Sequence, residues 1–322
     1  MSSELIGNVL SKGGLLSSYT AKWEQRASIR TRPEKYIDFD IPGFFFPEEK
    51  QPLLLDESLQ HISYEIKNEI LIQAFFKYLN DIINLEIKLI NSACNKIIYN
   101  DLSVKYHEQM KINAYTIVID EYYHVYIARN MMNQLKAKFP DIKELSYPIS
   151  DAYVAVSEIM SRLSPRYHDL FEIIAVCIFE TTLVKELVEF FNSENVHPSI
   201  KYYVNDHMND ESRHYLYFHE LLQYTWHHMS DDETYGIGQH IADFVKLYLN
   251  IESEKQFNTE LLSSITNDRA YSEKSVQRIY QGFEVTPDVP IVKNVLLALK
   301  RAGVLEHQAV RRGFENIGWV IS

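Results

Sequence analysis

Two stretches of this chain limit what it can fold into. IDEYYHVY, residues 119–126, and NDHMNDESRH, residues 205–214, each contain Asp-Glu-x-x-His, and each sits in sequence that otherwise has the apolar pattern of buried helix. Ionised acids in a helical core are costly without a partner. The fold must therefore bring something to them. At helical spacing Glu121 and His124 share one face, and so do Glu211 and His214. His207 lies one turn before Glu211, so His207, Glu211 and His214 line one stripe.

Acids also stand in other apolar runs. LNDIINLEIKLINSAC offers Glu86 among isoleucines and leucines, and IIAVCIFETTLV offers Glu180 in the most hydrophobic run of the chain. One Glu from each of two helices and Glu-x-x-His from each of two others is the di-iron carboxylate arrangement of a four-helix bundle. The chain order matches it: Glu86, then Glu121 with His124, then Glu180, then Glu211 with His214, and His207 beside them. Four carboxylates cancel the charge of two divalent ions. Mixed imidazole and carboxylate donors suit iron or manganese better than a thiolate zinc site. Asp120 and Asp210 each precede a candidate ligand Glu and can accept the second N–H of a ligand histidine. Arg213 can hold such an aspartate in place. A single Glu-x-x-His is usually a solvated helix face, and the weight here rests on two copies plus the two isolated acids. Glu65 and Glu69 compete with Glu86, and Glu186 and Glu189 with Glu180, but all four have more polar neighbours.

The rest of the chain reads as all-α. Of 322 residues, 46% are apolar while only 10 are Gly and 10 Pro, so long periodic segments run unbroken over a sizeable core. Helices are expected over about 57–99 (capped by Asp56), 104–138, 151–163, 165–191, 198–229, 231–249 and 291–314. Residues 1–55 and most of the last seventy read as irregular. We expect one domain over 1–322, with its metal-binding core at about 55–230, and the two Asp-Glu-x-x-His helices suggest two related halves. A net charge of −12 gives no electrostatic reason to bind nucleic acid or an anionic membrane. No apolar run has the length of a membrane span and no signal peptide is visible, so the expected location is cytoplasmic. Cys94 and Cys177 read as free buried thiols, Cys177 one turn before Glu180. His227 and His228 read as helix-end residues, His219 and His240 as ordinary packing, and Tyr122, Tyr123, Tyr215 and Tyr217 as core neighbours of the cluster.

With Glu86, DEYYH at 120–124, Glu180 and HMNDESRH at 207–214, the chain resembles the AurF-like p-aminobenzoate N-oxygenases. The histidine one turn before the last Glu-x-x-His separates that family from ferritins and ribonucleotide reductase subunits. The resemblance implies a ferritin-like fold with additional helices, a homodimer, and two irons held by Glu86, Glu121, His124, Glu180, His207, Glu211 and His214. It also implies O2 as co-substrate, an external electron donor or redox partner, and oxidation of an amine nitrogen towards hydroxylamine, nitroso or nitro. The expected substrate is a small amine, free or carrier-bound. Members acting on aryl amines with a free carboxylate use a basic residue near the first ligand Glu. Here Asp81 stands five residues before Glu86, so we expect it at the substrate pocket and expect a substrate other than p-aminobenzoate. A di-iron hydroxylase or desaturase acting on carbon, and a non-enzymatic iron-binding bundle, are the alternative readings.

Overall fold

The computed structural model describes residues 14–59, 61–99, 101–182 and 190–320. Helices dominate, and among the described residues the one β-type pairing is an isolated bridge between Phe44 and Val196. The longer helices are α1 (Gly14–Arg26), α2 (Tyr64–Leu85), α3 (Asn91–Tyr99), α4 (Glu108–Lys138), α5 (Asp151–Arg162), α6 (His168–Glu180), α7 (Pro198–His228), α8 (Asp231–Gly238), α9 (Ile241–Tyr248), α10 (Glu252–Thr266), α11 (Arg269–Ile279), α12 (Pro290–Arg301) and α13 (Gln308–Asn316).

Local chemistry sets the ends of the helices that matter most. Ser63, not Asp56, caps α2: its hydroxyl accepts the Ile66 N–H at 3.3 Å. Asp56 instead accepts from Nε and Nη2 of the Arg278 guanidinium on α11. α2 does not run straight into α3. Glu86–Ile90 form a π turn, in which the Asn91 N–H bonds the Glu86 carbonyl five residues back. Such a turn inserts one residue into the helix and rotates the side chains on either side. Glu86 is its first residue.

Pro198 opens α7, with His197 as its cap. α6 stops at Glu180, where the Thr181 and Thr182 hydroxyls bond back to the Cys177 and Phe179 carbonyls at 2.8 Å each. The expected continuation towards residue 191 crosses 183–189, outside the described residues, as are Glu186 and Glu189.

Three expectations need correction. The N-terminal segment is not irregular throughout: 32–47 hold no helix, but α1 packs on α4 and α7, where Thr20 bonds Asn113 at 2.8 Å and the Tyr19 and Tyr217 rings lie 5.9 Å apart. The expected helix over 231–249 is two helices, α8 and α9, broken at Gln239–His240 after a Gly-Ile-Gly sequence of poor helix propensity. Gly236 is needed there, since a Cβ would come within 2.6 Å of the Tyr167 ring. The C-terminal region is also helical. Asn267 takes a left-handed φ of 54° to end α10, and the Asp268 carboxylate then accepts the Tyr271 N–H at 2.9 Å to start α11.

The apolar core falls into clusters, and their borders locate the polar residues. Along α4, Ile117 belongs to one large cluster and Ile127 to another; Asp120, Glu121 and His124 lie between them. Along α7, Met208 belongs to the second and Tyr217 to the first, with Glu211 and His214 between. Across the π turn, Ile83 belongs to the second, Leu89 to the first, and Glu86 lies between. A layer of charge thus separates two apolar bodies, at the level where α2, α4, α6 and α7 meet.

Candidate metal centre

Seven side chains meet in that layer. Glu86, Glu121, His124, Glu180, His207, Glu211 and His214 are all buried, none more than 7% exposed. Their donor atoms form two groups: Glu86, His124, His207 and Glu211, and Glu121, Glu180, Glu211 and His214. Within each group the donors lie within 4.8 Å of one another, and Glu211 belongs to both. Of the competing acids, Glu65 is exposed and Glu69 half-buried, and neither is in a group.

Each histidine turns one nitrogen inward. His124 Nδ1 lies 3.1 Å from Glu121, 3.5 Å from Glu211 and 3.6 Å from Glu86. His207 Nε2 lies 2.9 Å from Glu211 and 3.2 Å from Glu86. His214 Nδ1 lies 3.0 Å from Glu121 and 3.3 Å from Glu211.

The outer nitrogens are held crosswise. His124 Nε2 lies 3.1 Å from Asp210, the acid of the other motif, and His214 Nε2 lies 3.3 Å from Asp120. A histidine bonded outward to a carboxylate has its tautomer fixed, and its inner nitrogen is left as a lone-pair donor. Arg213 donates to both aspartates and ties the motifs together. The sequence reading paired each aspartate with a ligand histidine but could not say which one.

Two further partners of the aspartates were missed. The Trp23 indole N–H donates to Asp120 Oδ1 at 2.8 Å, and the Ser28 backbone N–H reaches Asp210 at 3.2 Å. Both come from the N-terminal segment that reads as irregular, and no local spacing relates residue 23 to residue 120. Among the buried hydroxyls without a hydrogen-bond partner are those of Tyr78 and Tyr203. Burial first, then the charge of Glu86, pushes the Tyr78 phenol up, and Tyr203 is raised by burial, Tyr78 and Glu86.

Charge in the cluster is unbalanced without a cation. Burial, together with the charges of Glu211 and Glu121, pushes Glu180 well above the usual carboxylate range. Burial opposes the charged form of His124, but Asp210, Glu121 and Glu86 outweigh it and raise the histidine well above its ordinary value. His214 rises for the same reason, against burial, under Glu211 and Glu121. His207 is lifted to about 9 by Glu211 and Glu86, against burial and the like charge of His124. Protons thus gather on the imidazoles to offset the carboxylates. Glu86 Oε2 and Glu180 Oε2 are buried with no hydrogen-bond partner. Orphaned lone pairs pointing into a charge deficit fit bound cations.

Asp81 is placed elsewhere. It pairs with Lys77 and borders a cavity with a total open volume of about 590 Å³, alongside Asn84, Lys88 and Tyr147 and with none of the seven residues. The expectation that Asp81 faces the substrate assumed a turn in towards Glu86. The five-residue offset instead carries it around α2, and Lys77, one turn earlier, neutralises it. The other candidates take ordinary roles. Tyr217 donates to the Met110 carbonyl at 3.1 Å, Tyr122 is exposed, and His227 and His228 cap carbonyls in their own helix. Cys94 and Cys177 are free and buried.

Among known protein families, the model described as P-aminobenzoate N-oxygenase AurF matches residues 16–278. The span includes the whole cluster, Trp23 and Ser28, and runs well past the core expected at 55–230. A search of curated proteins finds no match. No helix among the described residues is long and apolar enough to cross a membrane.

Proposed function

The chain belongs to the AurF family of p-aminobenzoate N-oxygenases, oxygen-dependent di-iron oxidoreductases, and from that premise we propose that it oxidises the nitrogen of a small amine at two irons held by Glu86, Glu121, His124, Glu180, His207, Glu211 and His214. The observation that carries this is the pair of donor groups sharing Glu211. A carboxylate common to both groups would serve two cations at once, and four carboxylates would match their charge. The product lies on the path from hydroxylamine through nitroso to nitro.

Bound there, two irons supply the oxygen activation and electron storage that side chains lack. The chain's own residues do the rest. Asp120 and Asp210 hold the outer N–H of His214 and His124, so each ring keeps its angle and the inner nitrogen is the one that would give up its proton to a bound metal. Arg213 donates to both aspartates and keeps them in place. The two apolar clusters exclude water on either side. The Tyr78 and Tyr203 hydroxyls are unused donors near Glu86, placed to hold a polar atom of the substrate. Electrons come from an external donor.

The test is anaerobic loading with ferrous iron, metal analysis, exposure to oxygen, and a panel of amines analysed by mass spectrometry. Two irons per chain and an N-oxidised product support the reading. One tight zinc and no iron would sink it, and oxygen inserted at carbon would move it to the hydroxylase class.

A further inference from the structure

The outer side of α4 lacks charge where a solvated helix face normally carries it. Its exposed positions between residues 112 and 126 are Ile112, Tyr115, Ile119, Tyr122 and Tyr126, each between 41% and 55% exposed. They recur at steps of three and four, so they form one stripe about four turns long. The stripe lies on the side of α4 away from the buried Glu121 and His124. Neighbouring residues extend it. Tyr99 of α3 stands edge-on to Tyr115 at 6.2 Å, and Tyr36 donates to the same carboxylate as Tyr126, that of Glu34. At about 150–250 Å² for a whole aromatic side chain, the exposed parts of these residues amount to several hundred Å², approaching the ~800 Å² that each partner gives to a standard interface. Apolar surface of that extent marks a contact, and tyrosine without Lys or Glu is the composition of an interface centre.

The stripe is symmetric about its middle residue. Ile112 and Tyr126 lie equally far before and after Ile119, and Tyr115 and Tyr122 lie one turn either side of it. A second α4 running the opposite way, related by a twofold axis at Ile119, sets Ile119 on itself, Ile112 by Tyr126 and Tyr115 by Tyr122. The charges at the ends allow this. Glu108 stands 3.4 Å from Lys111 at one end, and Arg129 stands at the other, near Glu34, which Tyr126 and Asn130 hold. In a protein of net charge −12 this face therefore has a balanced border. Antiparallel order also brings Glu108 to the partner's Arg129, seats Ile112 against the bulkier Tyr126, and opposes the two helix dipoles. Parallel order would stack each of these residues on its own copy.

We propose that the α4 stripe is a contact between two copies of this chain, packed antiparallel about a twofold axis at Ile119. It is independent of the metal centre.

The experiment uses the full chain, with iron content measured alongside. Sedimentation velocity and light scattering at micromolar concentration should give the mass of two chains. Ile119→Asp sets a carboxylate against its own copy on the axis. It should raise the dissociation constant at least ~100-fold, because the centre of an interface carries most of its strength and one substitution removes two central contacts. Ile119 is on the solvent side, so helix content, melting temperature and iron content should not change. A second set of variants tests the axis without relying on a loss. Cys94 and Cys177, the two cysteines of the chain, are buried. Ile119→Cys therefore adds the one exposed thiol, and a short bis-maleimide should join it to its own copy. Leu297→Cys, 45% exposed on α12, should stay single. Ile112→Cys mixed with Tyr126→Cys, and left to exchange, should give the mixed product in preference to either self-joined one. A single chain in the unmutated protein overturns the proposal and leaves the stripe to a different partner. A dimer that survives Ile119→Asp, with Ile119→Cys unjoined, puts the contact on another face and overturns it too. Ile112→Cys joined to itself and not to Tyr126→Cys overturns the antiparallel axis.

Discussion

The two Asp-Glu-x-x-His motifs differ more in the structure than in the sequence. On α4 the position one turn before Glu121 is Ile117, a core residue. On α7 the same position is His207, which adds a third inward nitrogen. One donor group therefore has two histidines and two carboxylates, and the other has one histidine and three carboxylates. The donor sets offered to two ions would therefore differ in charge. Glu211 joins the halves, and it is pulled towards the charged form: burial resists, but His214 and His207 hold it well below its usual value. The comparison shows how one helical motif, used twice, gives an unequal pair once a single turn is altered.

The sharpest way to break the comparison is to remove the residue both halves share. Glu211→Ala should empty both positions, taking iron from two per chain to near zero, whereas Glu180→Ala should weaken only the half it belongs to. Metal analysis after anaerobic reconstitution separates the two outcomes. Equal loss in both variants would mean that the halves do not load independently.

His207→Ala should erase the inequality. Six carboxylate and imidazole donors remain, so the variant should fold and still take up iron. It is expected to lose or redirect amine oxidation, because a neutral imidazole adds electron density without charge. Iron content, the optical spectrum after oxygen exposure and N-oxidised product should be measured on one sample. If all three match the unmutated protein, His207 is not a ligand.

The outer aspartates sharpen the comparison further. Asp210→Asn should disturb His124, and Asp120→Asn should disturb His214, each costing about 10–100-fold in metal affinity or activity. Because the pairing is crosswise, damage from a change on one motif should appear at the histidine of the other, which paramagnetic NMR of the iron-bound rings can assign. Arg213→Met should cost about 3–5 kcal/mol in the metal-free protein, since it leaves two buried carboxylates without their shared cation. Chemical denaturation checks that figure.

What the sequence shows and what it hides divide along a physical line. Glu121 with His124, and His207 with Glu211 and His214, are legible because helical periodicity ties residues three and four apart to one face. Glu86 and Glu180 are legible because charge is expensive in an apolar run. The crosswise pairing is not legible, because it depends on how α4 and α7 pack, 86 residues apart for His124 and Asp210. Trp23 and Ser28 are hidden for the same reason, at separations of 97 and 182 residues. The π turn at Glu86 is invisible to a pattern that assumes one period throughout. The C-terminal helices α10 to α13 are short, and their ends are set by single residues such as Asn267 that periodicity does not weigh.

The smallest expected effect concerns Asp81, where the sequence and the structure disagree. The sequence reading puts a repelling charge in front of a carboxylate-bearing aryl amine. In the structure that charge is already met by Lys77, whose side chain is 5% exposed while that of Asp81 is 30% exposed. Asp81→Asn should therefore change the turnover of p-aminobenzoate, if the protein accepts it, by less than about twofold, as expected for a substitution away from the site. Stability is the property that should move, because Lys77 would be left buried without its counter-ion. A loss of about 1–3 kcal/mol is expected, at the lower end because Asp81 is partly solvated. Lys77→Met in the same chain should recover part of that loss by removing the stranded charge. Kinetics with p-aminobenzoate and denaturation of the single and double variants test both halves of the argument. A large gain in p-aminobenzoate oxidation by Asp81→Asn would return Asp81 to the substrate pocket and make it the residue that selects against a carboxylate.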